Sequence, residues 1–173
     1  MENQFSTSAF PQPWLRAADD PRRIPLTLRR EHADIRAGLA RAASEPGPVG
    51  HAATSLARTC LHHFELEEQT VLPVFAVLHE LVSGDVREEM AGILPLIDEF
   101  RREHDCLNRQ HQSILSAIEA LWEAAYEEDN RRVSDLAYRI RSHERMEDGV
   151  VYPTVLLIGR YVRGQIPLLK AAS

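Results

Sequence analysis

Six side chains of metal-donor type recur at matched places in two halves of this sequence: His32, His63 and Glu67, then His104, His143 and Glu147. Arg30-Glu31-His32 with Ile35 answers to Arg102-Glu103-His104 with Leu107. Leu56-Ala57 begins seven residues before His63, and Leu136-Ala137 begins seven residues before His143. Four positions after each of these His residues comes a Glu, Glu67 or Glu147, then an acid, Glu68 or Asp148, and further on a proline, Pro73 or Pro153. The repeated unit is a lone His on one helix and His-x-x-x-Glu on the next.

The spacing has a physical meaning. Positions i and i+4 of an α-helix lie on one face about 6 Å apart, so one helix can aim an imidazole and a carboxylate at the same point. Two such helices facing two that each offer a His surround a point inside a bundle with four nitrogens and two carboxylates. Imidazole and carboxylate donors without thiolate suit iron or manganese better than a closed structural zinc site. If both carboxylates bridge, the six residues fill eight of the twelve positions on two octahedral ions, and a bridging oxide or hydroxide fills two more. The rest are open to water, dioxygen, nitric oxide or peroxide.

Each residue also has a plainer reading. A lone helical His is ordinarily exposed or hydrogen-bonded, but burying six ionisable groups at matched offsets without a metal is costly. His62 lies about 100° round the helix from His63 and reads as a boundary residue. His111 is on the stripe of His104 but about 10 Å along the axis. It is therefore expected beside the site, as a core residue, a supporting group or a proton donor. His51 and His79 fall at helix ends, Glu31 and Glu103 point toward solvent or a neighbouring helix, with support of a ligand as the alternative, and Glu65, Glu68, Glu144 and Asp148 read as a solvated face. Tyr152, nine residues past His143, reads first as a core tyrosine and second as a residue at the rim of the cluster.

These residues need helices to hold them. Apolar Leu28, Ile35 and Leu39 share a helical stripe over 26–43, closed by Ser44-Glu45-Pro46-Gly47-Pro48. A second helix is expected over 51–82 with a kink at Pro73, a third over 85–128 with a possible break at Pro95, and a fourth over 129–158. The expected fold is all-α: an antiparallel up-down-up-down four-helix bundle over 26–160, with an extended N-terminal arm over 1–25, rich in proline, and a C-terminal tail over 161–173. A chain of 173 residues with 44% hydrophobic and 27% charged residues suits one globular domain. The formal charge of −6 argues against nucleic acid and anionic membrane surfaces as partners. No apolar run approaches the ~20 residues that span a bilayer, and the N-terminus lacks a signal-peptide pattern, so the cytoplasm is the expected compartment. Cys60 and Cys106 are expected to stay reduced and off the metal.

The strings REHADI and REHDCL, together with HHFELEEQTVLP and SHERMEDGVVYP, resemble the paired motifs of hemerythrin-like (HHE cation-binding) domains, from about Leu28 to Pro153. The resemblance implies a cofactor of two iron ions, oxide- or hydroxide-bridged, with His32, His63, His104 and His143 as terminal ligands and Glu67 and Glu147 as bridges. It implies a small diatomic or peroxide ligand and a role in binding or sensing dioxygen, nitric oxide or peroxide, acting through a protein partner or a homo-oligomer. The alternatives are a di-iron enzyme that decomposes peroxide or reduces nitric oxide, and an iron-homeostasis or storage protein. One departure stands out: oxygen-carrying hemerythrins place two His four residues apart on the third helix, and the position four after His104 is Asn108.

Overall fold

Leu28, Ile35, Leu39 and Ala42 fall on one side of a helix, and in the computed structural model, which describes residues 26–172, all four are buried along α1 (Leu26–Ala43). The N–H groups of Ser44 and Glu45 close α1 by donating to the carbonyls of Arg41 and Ala42. Gly47, at φ +79°, makes the reversal that an L side chain resists. Helix α2 (Gly47–Thr70) starts there, with Pro48 in its first turn, where the missing N–H costs nothing.

Prolines set the remaining boundaries. Pro73 cannot donate to the helical ladder, and beyond α2 the chain tightens into a 3₁₀ segment, Leu72–Val77, before the short α3 (Leu78–Val82). A second 3₁₀ segment, Glu88–Ile93, leads into α4 (Leu94–Glu127), with Pro95 in its first turn. Helix α5 (Arg131–Met146) is capped by Asn130, whose side chain accepts the Val133 N–H at 3.3 Å. A π-helical segment, Glu147–Val151, joins it to α6 (Tyr152–Ala172). Pro153 has no N–H for the carbonyl four residues back, and the Tyr152 N–H reaches the Glu147 carbonyl, five back.

The first helix has its expected bounds. The second starts earlier than expected, at Gly47, and stops at Thr70, where the chain turns 3₁₀ around Pro73; the third starts only at Leu94, with Pro95 in its first turn, after the 3₁₀ segment Glu88–Ile93. The expected tail differs more: α6 runs through to Ala172, with Val162 buried. The expected N-terminal arm lies outside the described residues.

Helix α2 packs on α1 and α4, and α5 packs on α4 and α1, which closes a ring of four antiparallel helices. Gly38 permits the close approach of α1 and α5, since a Cβ there would meet Leu136 Cδ1 at 2.7 Å. At the turn end, Glu45 accepts from both Asn130 and Arg132, tying the α1–α2 connection to the α4–α5 connection. No strand occurs among the described residues, and none of their helices is long and apolar enough to cross a membrane.

The core divides into two apolar layers. One contains Leu28, Val71, Phe100, Leu107 and Val151, and the other Ile35, Phe64, Ile114 and Ile140. Along every bundle helix the chain passes from one layer to the other through a polar stretch: His32 on α1, Glu67 on α2, His111 on α4, and His143 to Glu147 on α5 and its continuation. The functional residues form a buried polar layer between two dry ones.

Candidate metal centre

His63 and Glu67 occupy i and i+4 of α2, and His143 and Glu147 repeat that spacing on α5 and the segment that continues it. Each carboxylate lies between the two imidazoles of the neighbouring helices. Donor atoms of His32, Glu67, His143 and Glu147 all lie within 4.8 Å of one another, and so do those of His63, Glu67, His111 and Glu147. Every one of these residues is buried, His32 and His63 completely.

The structure brings together five of the six residues singled out in the sequence, and the sixth place is taken by His111. His104 stands two helical turns earlier on α4, half-buried at the bundle's flank. Its Nδ1 meets Asn108 at 3.2 Å, and it lines a surface pocket with Arg101, Pro153 and Leu157. The aromatic ring of Tyr152 intervenes between it and the cluster, 6.2 Å from the His104 ring and stacked on His111 at 5.4 Å. His104 and His111 lie about 10 Å apart along α4, and it is the later one that stands at the level of His32, with the earlier one outside the two donor sets.

Each imidazole is oriented from behind. Carboxylates accept at Nδ1 of three of them: Glu68 from His32 at 2.9 Å, Asp148 from His111 at 2.7 Å and Glu31 from His143 at 3.3 Å. Gln110 Oε1 lies 3.2 Å from His63 Nδ1. A carboxylate can only accept, so the Nδ1 proton is fixed outward and Nε2 is turned inward, where its lone pair serves a metal once the imidazole is neutral. Glu68 and Asp148, read in the sequence as a solvated face, and Glu31, read as facing solvent or a neighbouring helix, thus hold the inner imidazoles in place. Arg36 donates to Glu68 at 2.8 Å and helps keep that carboxyl below its usual range, against the upward push of partial burial.

Most of the inward atoms are left without a hydrogen-bond partner; among the imidazole nitrogens, His111 Nε2, which also meets the Tyr152 hydroxyl at 3.2 Å, and His63 Nε2 are the exceptions. His63 Nε2 and His111 Nε2 face each other at 3.0 Å. His32 Nε2, His143 Nε2, Glu67 Oε2, Glu147 Oε2 and both oxygens of Glu144 are buried without a hydrogen bond. An unsatisfied buried polar atom costs about 1–3 kcal/mol, so these six together rival the ~5–15 kcal/mol net stability of a domain. A cation among them removes that cost. Donors about 2.1 Å from one ion lie about 3.0 Å apart when cis and about 4.2 Å when trans. The observed separations fit that range: His32 Nε2 to Glu67 Oε2 3.5 Å, His143 Nε2 to Glu147 Oε1 2.9 Å, His63 Nε2 to Glu67 Oε2 3.4 Å and His111 Nε2 to Glu147 Oε2 3.6 Å.

The electrostatics follow from this crowding. Burial and the Glu147 charge push the Glu67 carboxyl well above its usual range. Burial pushes Glu147 the same way, but the four imidazoles around it prevail and hold it well below. Burial works against protonation of His111, yet Glu147, Glu144 and Asp148 overcome it and raise the imidazole to about 9. Glu144 is pushed up to about 7, first by burial and then by Glu147. Tyr152, buried beside the cluster, donates from its hydroxyl to Glu67 Oε1 at 2.7 Å, and burial with the nearby carboxylates raises its own ionisation far above the ordinary range. It is not only a core residue.

His111, expected only beside the site, carries a signal of its place among the donors in its spacing. His111 follows His32 by 79 residues, close to the 80 that separate His63 from His143, whereas His104 follows His32 by 72. With His111 in register, buried Leu28, Ile35 and Leu39 answer to buried Leu107, Ile114 and Ile118, and Glu31 answers to Gln110. The identity of the two Arg-Glu-His strings concealed the better alignment. Glu144 had no such signal, because its position in the repeat is held by Phe64 in the first half.

The buried His and Glu donors fit a metal-binding protein. Comparison with curated proteins and with solved structures finds no match to the chain. The family model for the hemerythrin HHE cation-binding domain matches residues 24–155, which covers α1 to the start of α6, and the chain belongs to that family.

Proposed function

We propose that the chain holds a di-iron centre and uses it to bind or sense dioxygen, nitric oxide or peroxide. One observation carries this reading: two four-residue donor sets overlap in Glu67 and Glu147. Two shared carboxylates suit two neighbouring ions better than one. On this reading Glu67 and Glu147 bridge, His32 and His143 serve one ion, and His63 and His111 serve the other, with His111 replacing the His104 of the sequence-based expectation. Nitrogen and oxygen donors without thiolate favour iron or manganese. Bound iron supplies redox chemistry and coordination positions open to a small ligand.

The chain's own residues do the rest. Glu68, Gln110, Asp148 and Glu31 fix the imidazoles, Tyr152 steadies Glu67, and the apolar layers above and below keep bulk water away. Residues four before and four after His111 are Leu107 and Leu115, so α4 offers one imidazole at this level. That favours sensing or reaction over the reversible carriage of hemerythrins with two His on this helix. The test is elemental analysis of protein purified from iron-replete cells, followed by absorbance of the reduced protein mixed with dioxygen, nitric oxide or hydrogen peroxide. About two irons per chain and a ligand-dependent spectrum are expected. Protein free of metal, or holding one zinc, would overturn the reading. Sustained peroxide or nitric oxide consumption in proportion to iron at micromolar protein would favour an enzyme over a sensor.

A further inference from the structure

Glu144 is a buried carboxylate that no part of the two donor sets uses. Only 1% of its surface is exposed, and neither of its oxygens has a hydrogen-bond partner. It is not stranded in apolar surroundings. Its Oε2 lies 3.3 Å from His111 Nε2 and 3.8 Å from His63 Nε2, the two imidazole nitrogens that face each other at 3.0 Å. Those separations match the distances between donors on one ion, as the pairs in the two donor sets do.

The internal two-fold of the bundle makes this placement informative. Glu68 backs His32 as Asp148 backs His111, and Gln110 backs His63 as Glu31 backs His143. His63 and His143 are therefore counterparts, and the residues that follow them, Phe64 and Glu144, are counterparts too. Phe64 lies flat on His32, with ring centroids 4.1 Å apart and planes at 11°. Where one half sets a phenyl ring against the α1 imidazole, the other sets a carboxylate against the α4 imidazole. Glu144 precedes Glu147 by three residues and follows His143 by one, so the three side chains share the inward face of α5 and its continuation. His143 leans toward α1 and Glu144 toward α4.

We propose that Glu144 is a third carboxylate ligand, serving the ion held by His63 and His111 and making the two metal positions unequal. The proposal rests on the di-metal reading above. It adds that one position is held by two imidazoles and the shared carboxylates, and the other by these donor types plus a carboxylate of its own. An anionic oxygen donor of this kind strengthens the hold on a hard divalent cation such as iron(II) or manganese(II).

The test is anaerobic titration of the metal-free full-length chain with iron(II), and separately with manganese(II), followed by calorimetry and by metal content after desalting. Wild type is compared with Glu144→Gln, which keeps volume and shape, and with Glu144→Leu; circular dichroism confirms folding. Wild type is expected to take up two ions with separable affinities. In Glu144→Gln one ion is retained as in wild type, and the other is weakened by more than the about 10–100-fold that loss of an outer hydrogen-bond partner costs. Single-position backgrounds assign the effect. In His143→Ala, affinity for the remaining ion falls when Glu144→Gln is added; in His111→Ala it does not. Two ions bound unchanged by Glu144→Gln and Glu144→Leu would overturn the proposal while leaving the di-metal reading intact. A wild-type chain that binds no iron or manganese would overturn both.

Discussion

Asp148 Oδ1 accepts from His111 Nδ1 at 2.7 Å, and this contact is the counterpart of the one between Glu68 and His32 at 2.9 Å. In each case the acid stands immediately after the Glu that enters both donor sets. It belongs to the His-x-x-x-Glu helix of one half and holds the lone His of the same half. The paired contacts define the bundle's internal two-fold more firmly than the sequence strings do, because they depend on where the side chains point.

Replacing His111 and His104 separately tests that register. His111→Ala is expected to lower metal content from about two ions per chain to about one, since His63 is left as the sole imidazole at its position. His104→Ala, at the flank beyond Tyr152, is expected to leave both ions in place. Metal analysis of the two folded variants beside wild type reads the result. Retention in the first with loss in the second would restore the register suggested by the Arg-Glu-His strings.

Removing the acids behind the imidazoles should weaken metal binding without touching a donor. Asp148 is half exposed, so Asp148→Ala leaves packing intact, yet the His111 ring loses the partner that fixes its tautomer. Affinity at one position is expected to fall about 10–100-fold. Glu68→Ala should do the same at the position of His32. Competition with a chelator of known affinity measures both, and unchanged affinity in either variant would show that the acid is dispensable for orientation.

The fold was legible because helical periodicity is redundant: Leu28, Ile35 and Leu39 agree on one face, and prolines and glycines mark the breaks. The site was legible where two donors share a helix, as His63 and Glu67 do, since their relation is set by 3.6 residues per turn. His111 was harder, because its relation to His32 depends on how far α4 slides along α1, and loop lengths hide that. Glu144 and Asp148 were harder still. A carboxylate beside a donor residue reads as solvated unless the packing of two flanking helices is known, and α5 buries a wider face than a single stripe. The π segment turns Tyr152 onto Glu67 and His111, a result of local backbone geometry that residue types alone do not state.

Tyr152→Phe keeps the ring stacked on His111 and removes one oxygen. Glu67 Oε1 then loses the hydroxyl that donates to it at 2.7 Å, inside a site where water has little access. The metal-free variant is expected to be about 1–3 kcal/mol less stable than wild type, the cost of leaving a buried acceptor unpaired. Urea unfolding followed by circular dichroism measures it. An unchanged midpoint would mean that Glu67 finds another donor when the hydroxyl is gone.

Proton linkage supplies a test that needs no substitution. His111 is raised from its ordinary 6.5 to about 9 in the folded chain, through Glu147, Glu144 and Asp148 acting against burial. A group whose folded value is raised contributes stability that is fully present below its unfolded value and is lost as pH rises through the folded value. The metal-free bundle should therefore lose stability between pH 6.5 and about 9, with His143, also raised, acting in the same sense. Glu144, raised from 4.5 to about 7, adds a loss that begins lower, between pH 4.5 and 7, because the unfolded chain gives up that proton first. Glu147 is shifted the other way and contributes stability above pH 4.5, lost only toward acid, so it does not offset the decline above pH 6.5. Metal reverses the balance. An ion at the His63 and His111 position needs the His111 Nε2 lone pair, so binding must expel a proton throughout this window. Metal affinity is expected to rise with pH from 6.5 to about 9 while the melting temperature of the metal-free protein falls. Calorimetric titration at pH 7 in two buffers of different ionisation enthalpy should register at least one proton released per chain. An affinity independent of pH across that range, with no proton released, would mean that His111 is already neutral in the metal-free fold.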